Sequence, residues 1–220
     1  MNAIIVSDLH IGSQYFLNHA FERFLNKIPE DHDLILNGDI IDNPFTKLKP
    51  PDQKILDRIK QISYRQKVVW IKGNHDNGYL PQDVGQIIFK NFYAIEQRLL
   101  ISHGHYFDGI MPRSQVFMKA FMLIHNLRVK LGAKPVHVAQ YAKNWELLYR
   151  VLRKHVRINA VQYAQENGFE AVTCGHTHFA EDIALNGVRY INTGAWTELP
   201  TFYIHVAEDQ MNLVRNGINH

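Results

Sequence analysis

Leu34-Ile35-Leu36-Asn37-Gly38-Asp39-Ile40-Ile41-Asp42 changes character at its midpoint. Three aliphatic residues in a row read as a strand buried on both faces, and Asn-Gly-Asp then ends it in residues that turn easily and carry oxygen donors. The pattern recurs along the chain. Residues 3–7 run into Asp8-Leu9-His10, 68–72 into Gly73-Asn74-His75-Asp76, 98–102 into His103-Gly104-His105, and 171–174 into Gly175-His176-Thr177-His178. Helical stretches fit between the first three strands. Residues 14–28 place Phe16, Ala20, Phe21, Phe24, Leu25 and Ile28 on one face, and 52–62 do the same with Ile55, Ile59 and Ile62. Strand, helix, strand in that order implies crossovers and a largely parallel central sheet, hence an α/β protein. After Cys174 the pattern shortens. Residues 180–185, the turn Asn186-Gly187, 188–192, 201–206 and 211–215 read as short antiparallel strands.

Composition sets the outer limits. With 220 residues, 46% hydrophobic and 20% charged, the chain can bury a core, which excludes disorder; its one cysteine, Cys174, excludes an internal disulfide scaffold. The expectation is a single domain over 1–220 in a reducing cytoplasm. Met1-Asn2 leads straight into a strand, without the basic start and apolar core of an export signal. The most apolar stretch, 116–127, is broken by Lys119, His125 and Asn126, and falls short of the roughly 20 apolar residues of a membrane span. The net charge of +3 is a cancellation. Residues 111–168 hold 10 basic and 2 acidic residues, a balance of +8, whereas the remainder holds 14 basic and 19 acidic, a balance of −5. The basic region also has helical periodicity over 113–131 and 135–167, divided by Gly132-Ala133-Lys134-Pro135, and it reads as a helical insert.

In open α/β sheets, ligands bind beyond the carboxyl ends of the strands, so the polar clusters after each strand belong together. Their Asp, Asn and His side chains supply hard oxygen and imidazole nitrogen without thiolate, which suits Mn²⁺, Fe²⁺, Zn²⁺ or Co²⁺. There are too many for one ion. Two ions about 3.5–4 Å apart can hold both the attacking and the leaving oxygen of a displacement at phosphorus. A shared carboxylate would offset their repulsion, and Asp39 is the natural candidate because Gly38 lets the backbone turn beside it.

The series Asp-x-His, Gly-Asp-x-x-Asp, Gly-Asn-His-Asp, His-Gly-His and Gly-His-Thr-His, in that order, resembles the calcineurin-like metallophosphoesterase family. The resemblance covers residues 3 to about 206 apart from the insert. It implies a four-layer αββα sandwich, two mixed sheets flanked by helices, with a dinuclear centre of two divalent ions at the strand ends, Mn²⁺ foremost. It further implies that Asp8, His10 and His178 hold the first ion and Asn74, His103 and His176 the second, with Asp39 bridging. His75 would protonate the leaving oxygen or stabilise charge, and Asp76 would fix its ring. Asp42 reads either as a hydrogen-bonding support for a ligand or as a turn cap. His105 reads as a substrate contact, a support for His103 or a surface residue. Asn192 and Gly194, in the run 190–196, would support the loop bearing His176 and His178. Cys174 reads as a small core residue, and His19, His32, His125, His137, His155, His205 and His220 as surface or packing residues.

The insert leaves the chain after His103 and returns before His176, so it must rise from the rim of the site as a cap. Its apolar residues, Val116, Phe117, Phe121, Met122, Ile124 and Leu127 on one helix and Trp145, Leu147, Leu148, Val151, Leu152 and Val156 on the other, are expected to pack together. Part of that cationic, apolar surface would also suit an acyl chain or the inner face of a membrane. In this arrangement the chain resembles the UDP-2,3-diacylglucosamine pyrophosphatase group, whose better-known members carry Arg at the position of His75. That resemblance implies a lipid-linked or nucleotide pyrophosphate substrate. A nuclease or general phosphodiesterase reading rests on the +8 insert, because Lys and Arg bind phosphates with counterion release. A non-catalytic interaction module would be expected to have lost ligands, and this chain keeps them.

Overall fold

The computed structural model describes residues 1–79, 83–110 and 115–217, with the backbone alone for 115–120. Val116, Phe117, His220 and the expected start of the insert at 111 therefore lie outside the described residues or side chains.

Two sheets stack. The first has six strands in the order β11-β10-β1-β2-β3-β4, formed by Met211–Arg215, Phe202–Val206, Ala3–Val6, Asp33–Asn37, Val68–Ile71 and Ile88–Lys90. β1 to β4 run parallel, while β10 and β11 are antiparallel. The second sheet has the order β5-β6-β7-β9-β8, formed by Phe92–Ile95, Leu99–Ser102, Ala171–Cys174, Val188–Asn192 and Glu181–Leu185. Here β6, β7 and β9 are parallel, and the edge strands β5 and β8 are antiparallel. The hairpin at Asn186-Gly187 forms as expected, but β9 pairs parallel with β7 on its other side. A run of hairpins in sequence thus does not make the sheet antiparallel, because β9 is wedged between its hairpin partner and a strand from upstream.

Alternation along the strands explains the layering. Ile4, Val6, Leu34 and Leu36 face α1 (Asn18–Leu25) and α2 (Pro50–Ser63), together with Phe21, Phe24, Ile55 and Ile59. Ala3, Ile5, Ile35, Val69 and Ile71 face the other way, onto Leu99, Ile101, Ala171 and Ile191 of the second sheet. Leu100, Val172, Val188 and Tyr190 then face Val156, Ala160, Val161 and Ala164 of α5 (Glu146–Glu166). Each inner strand is apolar on both faces because each is covered on both. The result is the four-layer αββα sandwich.

The insert contains α3 (Gln115–Lys130), α4 (Val138–Ala142) and the first part of α5. The second half of α5 is the outer layer of the sandwich, so the region 111–168 is not cap throughout. Nor, among the described side chains, do the two long helices close their apolar faces on each other. Phe121 is buried and its ring meets Tyr141 at 5.2 Å and Trp145 at 5.5 Å, but Met122, Leu123, Ile124, Leu127, Leu147 and Val151 stay exposed. The short α4 lies against α3 where α5 was expected. Among the described residues no helix is long and apolar enough to cross a membrane.

Candidate dinuclear metal centre

Five strands from both sheets end at one place. Asp8 and His10 follow β1, Asp39 follows β2, Asn74 follows β3, His103 follows β6, and His176 and His178 follow β7. The backbone there is unusual: Asp8, His10, Asp39, His176 and His178 all have φ between 50° and 62°. Side-chain-bearing residues rarely adopt that left-handed region, at about 1–3 kcal/mol each, and such strain collects where neighbouring structure over-determines it. Here the loops hold one another. Asp8 and His10 N–H donate to the carbonyls of Gly38 and Asp39, each at 3.0 Å, Trp196 N–H donates to the Asp8 carbonyl at 3.0 Å, and Gly175 N–H to that of His103 at 2.9 Å.

The motif glycines serve this closeness. A Cβ at Gly73 would stand 2.2 Å from Asp39 Oδ1, one at Gly175 2.2 Å from Asp8 Oδ2, and one at Gly38 2.4 Å from the His103 ring. Each glycine makes room for a ligand candidate from another motif.

Two groups of donors result. In the first, His178 Nε2 lies 3.2 Å from Asp8 Oδ1 and 3.1 Å from His10 Nε2. In the second, His103 Nε2 lies 3.1 Å from Asp39 Oδ2, and Asn74 Oδ1 lies 3.0 Å from His176 Nδ1. The far nitrogens show what these groups suit. His10 Nδ1 donates to Asp42 at 3.1 Å, His103 Nδ1 to the Asn37 carbonyl at 2.9 Å, and His176 Nε2 to Asp108 at 2.8 Å. A proton held on that side leaves the other nitrogen as a lone pair facing the rest of its donor group, the arrangement a divalent cation requires. Without a cation His103 and Asp39 settle as an ion pair. Burial opposes charge on His103, but Asp39 and Asp8 outweigh it and raise the imidazole to about 10. Burial likewise opposes charge on Asp39, yet His103, His75 and His10 hold it well below the usual carboxylate range.

Other expected residues take more specific places. His75 is exposed, 4.8 Å from the His10 ring, and its Nδ1 donates to the Asp42 carbonyl at 2.8 Å. Asp76 does not fix that ring. Its Oδ1 accepts from Ile40 and Ile41 N–H at 2.9 and 3.0 Å, and its Oδ2 from Gly73 N–H and the Trp70 indole at 2.9 and 3.2 Å. A carboxylate five residues beyond the end of β3 thus ties the Asp39 loop to the Asn74 loop. Burial and the Asp39 charge push it upward, against these N–H donors. Asp42 is more than a turn cap, because its carboxylate accepts from His10 Nδ1 and so steadies the ring of that ligand candidate. His105 does not orient His103, whose Nδ1 is taken by Asn37; it lies against Tyr106 at 4.0 Å, and burial lowers it to about 4. Asn192 donates to the Gly175 carbonyl at 2.8 Å and accepts from Gly194 N–H at 2.9 Å, which braces the loop carrying His176 and His178. Cys174 is fully buried among Leu100, Val172 and Tyr190.

Three residues at the site have no motif to announce them. Asp108, on the turn after the short 3₁₀ segment His105–Phe107, reaches His176. Tyr149 of α5 donates to the Thr177 carbonyl and so ties the insert to the histidine loop. His137, read from sequence as surface or packing, is buried and stacks on His178 at 5.2 Å, with His10 at 5.1 Å. Only its place in the insert hinted at this, since the insert springs from the rim of the site.

Comparison with known proteins places the chain in a family. The chain is 25% identical to the DNA polymerase II small subunit of Methanothermobacter thermautotrophicus, over 90% of its own length and 48% of that protein. It therefore spans about half the length of that curated relative. Among solved structures it resembles Yfce, a phosphoesterase from E. coli, with a TM-score of 0.53 and 14% identity over 99% of this chain and 94% of that one; at that identity the likeness speaks for the fold. Residues 1–180 match the calcineurin-like phosphoesterase family, so the chain belongs to that family of metal-dependent phosphoesterases.

Proposed function

We propose that the chain hydrolyses phosphoric esters or anhydrides at two divalent ions, one held by Asp8, His10 and His178 and the other by Asn74, His103 and His176, with Asp39 shared. The reading rests on one observation above others: two converging donor groups in which His10, His103 and His176 are each anchored through the far ring nitrogen, so that the near nitrogen is left for a cation. Two such ions would lower the pKa of a water and offset the charge of the phosphoryl group. Mn²⁺ is the proposed metal, with Fe²⁺, Zn²⁺ and Co²⁺ as the ions that the same donors accept. His75, exposed at the site and anchored through Nδ1, is left with Nε2 to give a proton to the leaving oxygen or to steady its charge. Asp76 contributes by holding the loops of Asp39 and Asn74 together.

Within this class, a lipid-linked or nucleotide pyrophosphate is supported by the exposed leucines of a basic insert beside the site, Leu123, Leu127 and Leu147 among them, which would also suit contact with a membrane surface from the cytoplasm. A nucleic-acid phosphodiester is supported by the +8 balance of residues 111–168 and by the name of the polymerase-subunit relative. In either case the insert from 111 acts as a cap on the single domain 1–220. A substrate panel on Mn²⁺-loaded protein, with UDP-diacylglucosamine, nucleotides, cyclic nucleotides, phosphomonoesters and single-stranded nucleic acid, separates them. Protein shown to bind two ions yet inactive on the whole panel would refute the enzymatic reading.

A further inference from the structure

We infer that His137 is a substrate-binding residue, brought to the metal centre by the insert, which donates a hydrogen bond from Nε2 to a phosphate oxygen. The inference deepens the proposed function and rests on it. His137 is only 9% exposed, although it lies in a connecting segment between α3 and α4. Its ring stacks almost parallel on His178, with 17° between planes, and meets Tyr15 edge-on at 5.8 Å. The segment is fastened on both sides. His125 Nε2 donates to the Val136 carbonyl at 3.1 Å, and Lys143, just past α4, pairs with Glu198 of the body.

The tautomer follows from one hydrogen bond. Nδ1 of His137 accepts from the N–H of Ala139 at 3.3 Å, so that nitrogen carries the lone pair and the neutral ring carries its proton on Nε2. Among the described residues no hydrogen bond reaches Nε2. His75 is built the opposite way. Its Nδ1 donates to a backbone carbonyl, so the neutral His75 ring offers a lone pair at Nε2. These two imidazoles flank the same His10 ring, His75 at 4.8 Å and His137 at 5.1 Å. One is therefore equipped to exchange a proton and the other to donate a hydrogen bond without gaining charge. A neutral N–H fixed before substrate arrives suits an anionic phosphoryl oxygen, because no reorganisation is needed when charge develops. The same proton makes Nε2 unsuited to hold a cation.

His137→Asn separates this role from packing. Asparagine is a good acceptor at a helix N-cap, so the Ala139 N–H keeps a partner while the Nε2 donor is lost. With full-length protein loaded with Mn²⁺, the variant is expected to bind the same two ions by calorimetry. Its inhibition constant for inorganic phosphate should rise by about tenfold or more, as for loss of a hydrogen bond to a charged group. Unchanged phosphate inhibition would overturn the inference, as would loss of an ion. Wild-type protein that binds two ions and phosphate but hydrolyses nothing would refute the proposed function instead. Should the variant fail to fold, ring ¹⁵N spectra of Zn²⁺-loaded wild-type protein decide the matter. His137 should be protonated at Nε2, with that signal moving on addition of phosphate; an Nδ1-protonated ring or an unmoved signal would overturn it.

Discussion

Asp76→Asn is the most informative single substitution, because it changes one atom and leaves volume and shape almost intact. Both carboxylate oxygens of Asp76 are occupied by pairs of donors: the N–H groups of Ile40 and Ile41 on one side, and Gly73 N–H with the Trp70 indole on the other. An asparagine can turn its amide nitrogen to either side, and on either side it meets two N–H groups with none to accept. Two buried donors thus lose their partner whichever rotamer is taken, at about 1–3 kcal/mol each, so the expected loss is about 2–6 kcal/mol. Stability of a domain is typically about 5–15 kcal/mol, so the variant should stay folded at 25 °C but with a clearly lower urea midpoint. Urea unfolding in the presence of EDTA measures this without a contribution from bound metal. A loss below about 0.5 kcal/mol, within the range of an ordinary surface substitution, would show that Asp76 does not hold these loops together. If turnover then fell while stability did not, the role expected from sequence, fixing His75, would be restored.

Other substitutions probe the remaining parts of the site. Gly175→Ala places a Cβ 2.2 Å from Asp8 Oδ2 and should abolish binding of the first ion, as read by Mn²⁺ titration. Asp42→Asn leaves His10 without its anionic anchor and should weaken Mn²⁺ binding about 10–100-fold in the same titration. In metal-free protein His103 is raised above its ordinary value of 6.5 to about 10, so the stability it contributes is fully present below pH 6.5 and lost as pH rises through about 10. Unfolding midpoints recorded with EDTA should fall across that window, and Mn²⁺ binding at pH 8 should release a proton, seen as a buffer-dependent calorimetric enthalpy. Tyr149→Phe should leave the Thr177 carbonyl unpaired and lower stability by about 1–3 kcal/mol in urea.

What the sequence disclosed depended on whether a residue acts through its own strand or through another. Asp8, Asp39 and His176 could be read because each directly follows a strand whose aliphatic run is visible, and the sheet brings the strand ends together. The layers came only with the family resemblance, because a run such as Ile4-Ile5 shows burial on both faces without saying what covers each one. β4 and β5 were not legible. Ile88–Lys90 is short and half-exposed, with no continuous apolar run to mark it, and it is a strand because β3 is there to pair with it. The helices of the insert were legible but their packing was not, because apolar spacing gives a face and not the partner it meets. Asp108 and His137 were hidden more deeply. Nothing in a lone Asp after Tyr-Phe, or a His after Pro-Val, distinguishes it from a surface residue until the chain has returned from the insert.

The motif residues themselves have a tighter logic than ligand chemistry. If only donors were selected, Gly38, Gly73 and Gly175 would be free to vary, yet a methyl group at any of them would strike a ligand candidate belonging to a different strand. The left-handed backbone at Asp8, His10, Asp39, His176 and His178 follows from the same crowding, because each loop must turn away at once after its strand to leave the centre open. Strain of about 1–3 kcal/mol at each of five residues would be a large fraction of a domain's stability if it stood alone. It is held in place by bonds that run between loops: Asp8 accepts the N–H of His176, Asp39 that of His75, and Asp76 those of Ile40 and Ile41. The carboxylates that face the centre are therefore also the acceptors that keep its loops turned. A substitution of Asp8 or Asp39 should accordingly disturb the neighbouring histidine loop as well as remove a donor, and cannot be read as loss of charge alone.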